Sequence, residues 1–315
     1  MNKPLVSILM SAYNSERFLR EALDSALTQT YSDIEVVVIN PASTDGTAAI
    51  LDDYARKDSR VRVFTHPYET IPQTRNGLLK EARGEFMTFL DSDDIYLADK
   101  VKEEVEFLET YGQYAAVYCD LRYFFDGQPQ QLYRHRYRFH SGDIFRDLLG
   151  KMFITNTTFM MRREVYDTLG GYDESLGLVE DWAFFLKMTY SGRKIGFLEK
   201  DLVRYRLRWD NHTKFGNQVK IQESAVNVFR DLASRMTPEE RKRYDMKKHV
   251  ARRERQYAIA LLAGGQKKEA WKEFLGVYGK KRVWLAPLFL IPSFVLRLIV
   301  KQAWKVKKKK LFIPV

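Results

Sequence analysis

Residues 86–94 read Phe-Met-Thr-Phe-Leu-Asp-Ser-Asp-Asp, an apolar run followed at once by three carboxylates. The run at 86–90 predicts a buried strand, because short apolar runs with polar ends are typical of parallel sheets. Acidic side chains crowded at the end of such a strand are costly to desolvate unless a positive group lies beside them. The usual positive group is a hard divalent cation with oxygen ligands, often shared with a phosphate. The segment therefore predicts a metal–nucleotide site at the carboxyl edge of an α/β sheet.

The sequence around this segment alternates between strand and helix patterns. Apolar runs predict strands at 5–13, 34–39, 61–65 and 85–90, and helical spacing predicts helices at 15–29, 44–55 and 73–82. Asn14 or Ser15 is expected to cap the first of these helices. Such alternation predicts a parallel sheet with right-handed crossovers. No Gly-x-Gly-x-x-Gly follows the first strand, which argues against a dinucleotide-binding dehydrogenase.

The rest of the chain is first mixed and then helical. Strands are predicted at 115–125, 132–139, 157–161 and 195–206, and helices at 142–149 and 180–190. A further helix is predicted to start near Leu97, and the pattern from about Asn217 onward is helical. Residues 257–278 predict a helical hairpin that turns at Gly264-Gly265.

The positive charge of the chain is concentrated near its end. The net charge is +11, yet residues 247–315 carry 18 Lys/Arg against 3 Asp/Glu, and the remainder carries 34 against 38. A nucleic-acid-binding domain normally carries this charge on its body, so we expect no nucleic-acid partner. Basic sequence beside the apolar stretch 283–300 instead indicates an anionic membrane surface.

The apolar stretch 283–300 has the minimum length of a membrane span but contains two prolines and Arg297. We interpret it as a helix lying in or shallowly inserted into the membrane, with a true span and a helix packed on the catalytic domain as alternatives. The single cysteine, Cys119, excludes an internal disulfide and fits a reducing compartment. The start of the chain runs straight into a strand pattern, so we expect no signal peptide, a cytoplasmic location and peripheral attachment to the inner membrane face.

Four segments together resemble the family 2 glycosyltransferases of the GT-A fold. They are Val-Ser-Ile-Leu-Met-Ser-Ala-Tyr-Asn at 6–14, Ser-Thr-Asp-Gly-Thr at 43–47, Gly-Glu before the opening segment at 84–94, and Glu-Asp-Trp at 180–182. The likeness covers residues 4–210. It implies an α/β fold with a Rossmann-like, mostly parallel sheet flanked by helices, followed by a C-terminal helical tail. The expected domains are 1–215 for catalysis (nucleotide half 1–95, acceptor half 96–215), 216–282 for a helical extension and 283–315 for membrane association.

The resemblance implies metal-dependent, inverting transfer of a sugar from a nucleoside diphosphate donor, with Mn²⁺ or Mg²⁺ as cofactor. Asp93 matches the metal ligand of the family's Asp-x-Asp motif, and Asp91 matches the member that faces the ribose or assists the metal. Asp181 matches the base that takes the proton of the acceptor hydroxyl. Asp94 is either a further ligand or the cap of the helix predicted near Leu97. The alternative for Glu180 and Asp181 is stabilisation of a helix's first turn through its dipole.

The remaining substrate contacts implied by the resemblance lie at strand ends, on one helix and in a late loop. They are Ala12, Tyr13, Asn14, Asn40, Arg75, Trp182 and Arg206. Arg75 is expected to meet a phosphate or carboxylate, with an ordinary salt bridge as the alternative. Trp182 either stacks on a sugar or fills the core. Arg206 and Arg208 follow a Tyr-Arg-x-His-like pattern in which Arg208 takes the place of the usual histidine. Either is expected to neutralise the diphosphate, with an alternating edge strand that carries solvated arginines as the alternative.

One segment departs from the family pattern. Where the family commonly has Asp-Asp-Gly-Ser, this chain has Asn40-Pro41-Ala42-Ser43. Pro41 replaces an acid that often reads a uracil edge, and proline offers no N–H and no side-chain hydrogen bond. A UDP-sugar donor is therefore expected from the family but not from this segment. The alternative function is a non-catalytic nucleotide- or glycan-binding subunit of an envelope assembly, and the expected acceptor of the enzyme is a glycan or lipid-linked glycan.

Overall fold

The structure is a computed structural model that describes residues 3–67, 69–135, 139–208, 217–278 and 312–314. Contacts within the chain divide it into two compact units, with Arg208 in the first and Trp209 at the start of the second. The finer domain limits expected from the sequence stay predictions.

The first unit alternates strands and helices, as the sequence predicts. Its strands are β1 (Val6–Ser11), β2 (Ile34–Pro41), β3 (Val61–His66), β4 (Phe86–Phe89), β5 (Ile95–Tyr96), β6 (Tyr114–Phe125), β7 (Gln128–His135), β8 (Phe159–Arg162) and β9 (Lys194–Leu207). Its helices are α1 (Leu19–Leu27), α2 (Thr47–Lys57), α3 (Ile71–Glu81), α4 (Lys100–Thr110), α5 (Phe145–Gly150), α6 (Arg163–Leu169) and α7 (Glu180–Tyr190). A 3₁₀ turn, Asn156–Thr158, precedes β8.

The sheet of the first unit has the order β7-β6-β8-β4-β1-β2-β3, with β9 beside β6 and β5. The first four strands are parallel, since β1 pairs with β2 and β4, and β2 pairs with β3. Antiparallel strands extend the sheet beyond β4, starting with β8. The predicted parallel sheet and α/β fold class are therefore confirmed. All four parallel strands end at the same edge, which places residues 12, 42, 67 and 91 near one another.

The centre of the sheet is apolar on both faces, which explains the unbroken hydrophobic runs of its strands. Ile8, Leu9 and Met10 of β1 are fully buried. Helix α1 covers one face through Leu19, Ala22, Leu23 and Ala26, all fully buried. Each such leucine side chain stabilises the fold by roughly 1.5–3 kcal/mol on transfer from water. This rigid layer fixes the strand ends that carry the polar residues.

Two predicted helix starts are wrong. Helix α1 begins at Leu19 with Phe18 as its N-cap residue, because Ser15 starts a turn in which its carbonyl accepts from Phe18 N at 3.1 Å. Helix α4 begins at Lys100 rather than near Leu97, with Asp99 at the N-cap position. Residues 95 and 96 are held instead in β5, which pairs with β9. Asp94 therefore lies before a strand and caps no helix.

The second unit is helical over residues 217–278, which confirms the predicted helical tail. It contains α8 (Gln218–Arg235), α9 (Pro238–Arg243), α10 (Met246–Gly264) and α11 (Lys267–Tyr278). The predicted turn is present, with Gly265 in the left-handed region at φ 90° between α10 and α11. Leu261, Leu262 and Ala270 form the apolar contact of this hairpin.

The membrane prediction concerns residues for which the structure gives no placement. Within the described residues, no helix combines the length and the hydropathy that a membrane crossing requires. The stretch 283–300 lies outside the described residues, and its attachment to a membrane stays a prediction.

Candidate active site

The segment Asp91–Asp94, called here the acidic turn, carries three aspartates and follows β4 at the carboxyl edge of the sheet. The turn begins with Leu90 N donating to Leu9 O at 3.0 Å and closes with Asp94 N donating to Asp91 O at 3.0 Å. The Asp91 and Asp93 side chains are 43% and 22% exposed, whereas Asp94 is buried at 1%. The fold thus leaves two of the three carboxylates accessible to a ligand.

Arg206 binds the acidic turn through two hydrogen bonds. Its backbone N donates to Asp94 Oδ1 at 2.9 Å, and its Nε donates to Asp93 O at 2.8 Å. Its guanidinium also pairs with Glu21 and lies over the rings of Phe18 and Phe124, 4.4 and 4.5 Å from their centroids. Arg206 is buried at 6%, so its groups are already engaged with the protein. Its predicted contact with the diphosphate stays a prediction.

The acidic turn accumulates negative charge that a cation would relieve. Burial, and then the neighbouring Asp91, raise the pKa of Asp93 to about 6. Burial, and then the neighbouring Asp93 and Asp91, raise the pKa of Asp94 well above its usual range. Asp94 Oδ2 is buried without a hydrogen-bond partner. Arg208 Nε lies 3.2 Å from Asp93 Oδ2 and partly offsets this charge.

The donor set of the turn fits a hard divalent cation. The accessible carboxylate oxygens of Asp91 and Asp93 are the ligand type that Mg²⁺ and Mn²⁺ prefer. In the part of the chain that the structure describes, no three His, Cys, Asp or Glu side chains are grouped to hold a metal. A cation at this turn would therefore complete its coordination with water and with oxygens of a bound phosphate, as is usual for Mg²⁺.

A second acidic group lies at the N-terminus of α7, which begins at Glu180 as the sequence predicts. Asp181 Oδ1 accepts from Trp182 N at 2.7 Å. Trp182 is 8% exposed and donates through Nε1 to Leu148 O at 2.9 Å. The indole thus packs into the core, and stacking on a sugar stays a prediction.

Arg75 joins the two acidic groups. The guanidinium, 13% exposed, pairs with Glu180 through Nη1, and its Nη2 lies 3.8 Å from Asp91 Oδ1. The Asn156 amide, oriented with its oxygen toward the guanidinium, accepts from Arg75 Nη1 at 2.9 Å and donates to Tyr172 Oη at 3.0 Å. The salt-bridge interpretation of Arg75 therefore describes its present contacts, although the pair is buried rather than on the surface. A phosphate contact by Arg75 stays a prediction.

The Asp181 carboxyl has a raised pKa. Burial, and then the adjacent Glu180, raise the pKa of Asp181 from 3.8 to about 7, while Arg75 and the Trp182 N–H oppose the rise. A base with a pKa near the working pH combines a large deprotonated fraction with strong proton affinity. The role of Asp181 as a base, and the alternative in which both acids favour the first turn of the helix through its dipole, stay predictions.

The predicted nucleotide contacts lie at the ends of β1 and β2. Ala12 is buried and Tyr13 is 40% exposed beside it. Asn14 adopts φ 47° and accepts through Oδ1 from Thr44 N at 2.8 Å, so it ties the end of β1 to the 43–47 segment. Asn40 is buried at 3% and accepts through Oδ1 from Ser43 N at 2.9 Å. Both asparagines thus shape the loops of this edge, and their contact with a nucleotide stays a prediction.

Sequence reasoning missed two residues of the site. The sequence predicts Glu180 only as an acid in the first turn of a helix, and its ion pair with Arg75 emerges only in the structure. Asn156 lies in the 3₁₀ turn before β8, a segment without any functional motif. No local signal marks Asn156, because its contact with Arg75 joins positions far apart in the chain.

Comparison with known proteins gives the chain relatives. A family model described as glycosyl transferase family 2 matches residues 7–170. An uncharacterized glycosyltransferase of Haemophilus influenzae is 40% identical over 128 residues, which are 38% of this chain and 50% of that protein. A Bacillus subtilis protein provisionally named a teichuronic acid biosynthesis glycosyltransferase, TuaG, is 35% identical over 107 residues, 34% of this chain and 42% of that protein. The chain thus spans about half or less of these two relatives.

Solved structures share the fold. The mannosyltransferase PcManGT of Pyrobaculum calidifontis, in complex with GDP-Man and Mn²⁺, has a TM-score of 0.60 at 19% identity and covers 95% of this chain and 88% of that chain. S. aureus TarS in complex with UDP-GlcNAc has a TM-score of 0.57 at 19% identity and covers 88% of this chain and 91% of that chain. At this identity the likeness concerns the fold alone.

Proposed function

Because this chain belongs to glycosyltransferase family 2, we propose that it transfers a sugar from a nucleoside diphosphate sugar to an acceptor hydroxyl, with inversion at the anomeric carbon. One observation carries this proposal above the others. Arg75 pairs with Glu180 beside Asp181 and also lies 3.8 Å from Asp91. A carboxylate able to act as base and a carboxylate turn able to hold a cation therefore face one guanidinium.

The proposed mechanism is a single displacement. Asp181 accepts the proton of the acceptor hydroxyl as that oxygen attacks the anomeric carbon, and the bond to the nucleoside diphosphate breaks. Asp93 and Asp91 would hold a divalent cation, which would supply charge neutralisation for the leaving diphosphate. Arg206 keeps the acidic turn in place through its hydrogen bonds to the Asp94 carboxylate and to Asp93 O. Arg75 pairs with Glu180, the residue before the proposed base Asp181.

The donor base is open between pyrimidine and purine nucleotides. Structures of the same fold contain UDP-GlcNAc in one case and GDP-Man in the other. In this chain the Asn40 side chain accepts from Ser43 N, and Ala42 adopts φ 57°. The loop after β2 lacks the acid that is common in the family, and we propose that Asn40 or backbone groups of this loop contact the donor base instead. We retain a UDP-sugar as the first donor to test and a GDP-sugar as the second.

The acceptor side of the proposal concerns the cell envelope. The relative provisionally named for teichuronic acid biosynthesis favours an envelope polysaccharide or lipid-linked glycan as acceptor. The basic sequence around 283–300 favours attachment to the anionic inner face of the cell membrane. Deletion of residues 283–315 should abolish binding to vesicles that contain phosphatidylglycerol. A truncated protein that still binds these vesicles would reject the anchor.

The function is tested by binding first and turnover second. The melting temperature is measured with UDP, GDP, dTDP and CMP, each with and without Mn²⁺, for wild type and Asp93→Ala. A metal-dependent rise for one nucleotide that is absent in Asp93→Ala would identify the donor class. Release of that nucleoside diphosphate from its sugar donor then distinguishes an enzyme from a binding subunit. Absence of both effects would favour the non-catalytic alternative, for which the Asn40-Pro41-Ala42 segment is the sequence argument.

A further inference from the structure

The residue before α7 has a strained backbone. Val179 is the N-cap residue and adopts φ 64°, ψ 19°, in the left-handed region. The other non-glycine residues with positive φ in the described ranges are Asn14, Ala42 and Asp245, none of them β-branched. A β-branched side chain is disfavoured in this region, and such strain persists only where surrounding contacts impose it. No side-chain cap holds the turn, so another contact must do so.

That contact comes from α3. The Arg75–Glu180 ion pair joins residues 105 positions apart, with side chains only 13% and 7% exposed. The next residue of α3, Asn76, accepts from Tyr172 N at 2.7 Å and donates to Tyr172 O at 3.0 Å. Helix α3 therefore binds both the loop that leads to α7, through Asn76, and the first residue of α7, through Arg75.

We propose that Arg75 and Glu180 are positioning residues whose buried ion pair holds the strained first turn of α7 and thereby places the Asp181 carboxylate. Glu180 is directly joined to Val179 on one side and to Asp181 on the other. Loss of the pair would let Val179 relax toward an unstrained conformation, which rotates the peptide that carries Asp181. In this proposal, which rests on the proposed role of Asp181 as the base, the pair acts on Asp181 through the backbone.

The same pair acts on the Asp181 proton in two opposing ways. Asp181 is faced by Glu180 on its own helix, Arg75 of α3, Asp91 of the acidic turn and Tyr172 of the preceding loop. After burial, Glu180 is the strongest influence that raises the pKa of Asp181, and Arg75 lowers it. Removing one member should therefore move this pKa opposite to removing the other. These opposite shifts report that both charges lie close to the Asp181 carboxyl, and the placement of the first turn of α7 is read separately from hydrogen exchange.

The experiment titrates Asp181 directly in the full chain by NMR of ¹³C-carboxyl-labelled aspartate, with the signal assigned through Asp181→Asn. The wild-type midpoint is expected at about 7. We expect it to fall by about one pH unit in Glu180→Gln and to rise by about the same in Arg75→Met. In the double variant the two charge effects oppose each other, so its midpoint should lie between those of the two single variants. The matched control is Glu164→Gln, since Glu164 is an exposed first-turn acid of α6, and it should leave the midpoint unchanged.

Placement is read from hydrogen exchange in the same samples. The amides of Trp182 and Ala183 should exchange about tenfold faster in both single variants and in the double variant. Unchanged exchange, or midpoints that coincide or move in the same direction, would overturn the proposal. A Glu180→Gln protein that does not fold would overturn it as well, because the pair would then be a general stability element. If only Arg75→Met fails to fold, Glu180→Gln decides alone.

These measurements need no donor or acceptor, so they separate this inference from the proposed function. Full donor turnover by Asp181→Asn would reject Asp181 as the base without affecting the titration result. Conversely, an Asp181-dependent turnover with unshifted midpoints would leave the function standing and reject the role of the pair.

Discussion

The acidic turn and the first turn of α7 are two carboxylate clusters, each with a buried arginine, and they differ in what the arginine leaves accessible. At the acidic turn, Arg206 binds the backbone carbonyl of Asp93 and the side-chain carboxylate of Asp94, so the carboxylates of Asp91 and Asp93 stay accessible. At α7, Arg75 binds the carboxylate of Glu180, and the neighbouring Asp181 carboxylate stays outside this ion pair. The first arrangement preserves charge for a cation, and the second isolates one carboxyl that can take a proton.

The difference also separates stability from chemistry. Arg206 lies between two aromatic rings and ties β9 to the acidic turn, so its loss would disturb the packing of the sheet edge. Arg75 and its contacts sit between α3 and the beginning of α7, where one backbone residue is strained. Loss of Arg75 would therefore change the base more than the fold.

The largest expected effect breaks the α7 side of the comparison. Asp181→Asn should lower the rate of sugar transfer by about 10²–10⁴-fold, the usual contribution of a general base. The nucleotide-induced rise in melting temperature should persist, because the acidic turn is intact. Turnover is measured as release of nucleoside diphosphate with donor and metal saturating. Asp52→Asn, an exposed aspartate of α2, is the matched control. Near-wild-type turnover of Asp181→Asn would contradict the base assignment.

The next effect breaks the acidic-turn side. Arg206→Met should lower the free energy of unfolding by about 2–3 kcal/mol, because it leaves Asp93 O and Glu21 without their partner. The value is reduced from that of a fully buried pair, since the Glu21 side chain is 53% exposed. Urea unfolding measures it. Arg17→Met is the control: Arg17 pairs with Asp126 and lies over the Phe18 ring but is 69% exposed, so its loss should cost less than about 1 kcal/mol.

The pH dependence sharpens the role of Asp181. The pKa of its carboxyl is raised from 3.8 to about 7, so the base is protonated below neutral pH. Turnover of the free enzyme with limiting donor should fall about tenfold per pH unit below 7. A flat profile between pH 5 and 7 would contradict this assignment.

The same shift makes a statement about stability. A carboxyl with a raised pKa in the folded protein contributes stability that is complete below 3.8 and lost as the pH rises through about 7. Asp181→Asn should therefore melt a few degrees above wild type at pH 8 and match it at pH 4. Scanning calorimetry at the two pH values measures the difference, and an equal melting temperature at pH 8 would argue that the carboxyl is not strained by burial.

The smallest effect concerns the cation at the acidic turn. Arg208 Nε lies 3.2 Å from Asp93 Oδ2, with both side chains less than a quarter exposed. Arg208→Gln removes a positive charge that opposes a bound cation, so Mn²⁺ affinity should rise a few-fold. Titration calorimetry with Mn²⁺ and the identified nucleotide measures it, with Arg193→Gln as the distant control. Weaker Mn²⁺ binding would show that Arg208 supports the metal–nucleotide complex through the diphosphate.

Local patterns predicted the elements better than their ends. The strands at 34–39 and 61–65 and the helix at 180–190 follow from apolar runs and spacing, and the structure has them. The predicted starts of α1 and α4 differ from those in the structure. The residues before α1 form a turn at Ser15, and the residues before α4 form β5, which pairs with β9. The pairing of β5 with β9 joins residues far apart in the chain, which no local window contains, whereas the turn at Ser15 is a local contact.

The sequence by itself determined the parallel α/β sheet, the carboxylates at its edge and the family of the chain, since these depend on short-range patterns and motifs. Only the tertiary structure decided which of the charged residues are engaged. Arg206 reaches Glu21 across 185 positions and Arg75 reaches Glu180 across 105. Ion pairing and burial depend on distance in space and not along the chain, so the division of the acids into bound and accessible ones emerges only when the sheet edge is assembled.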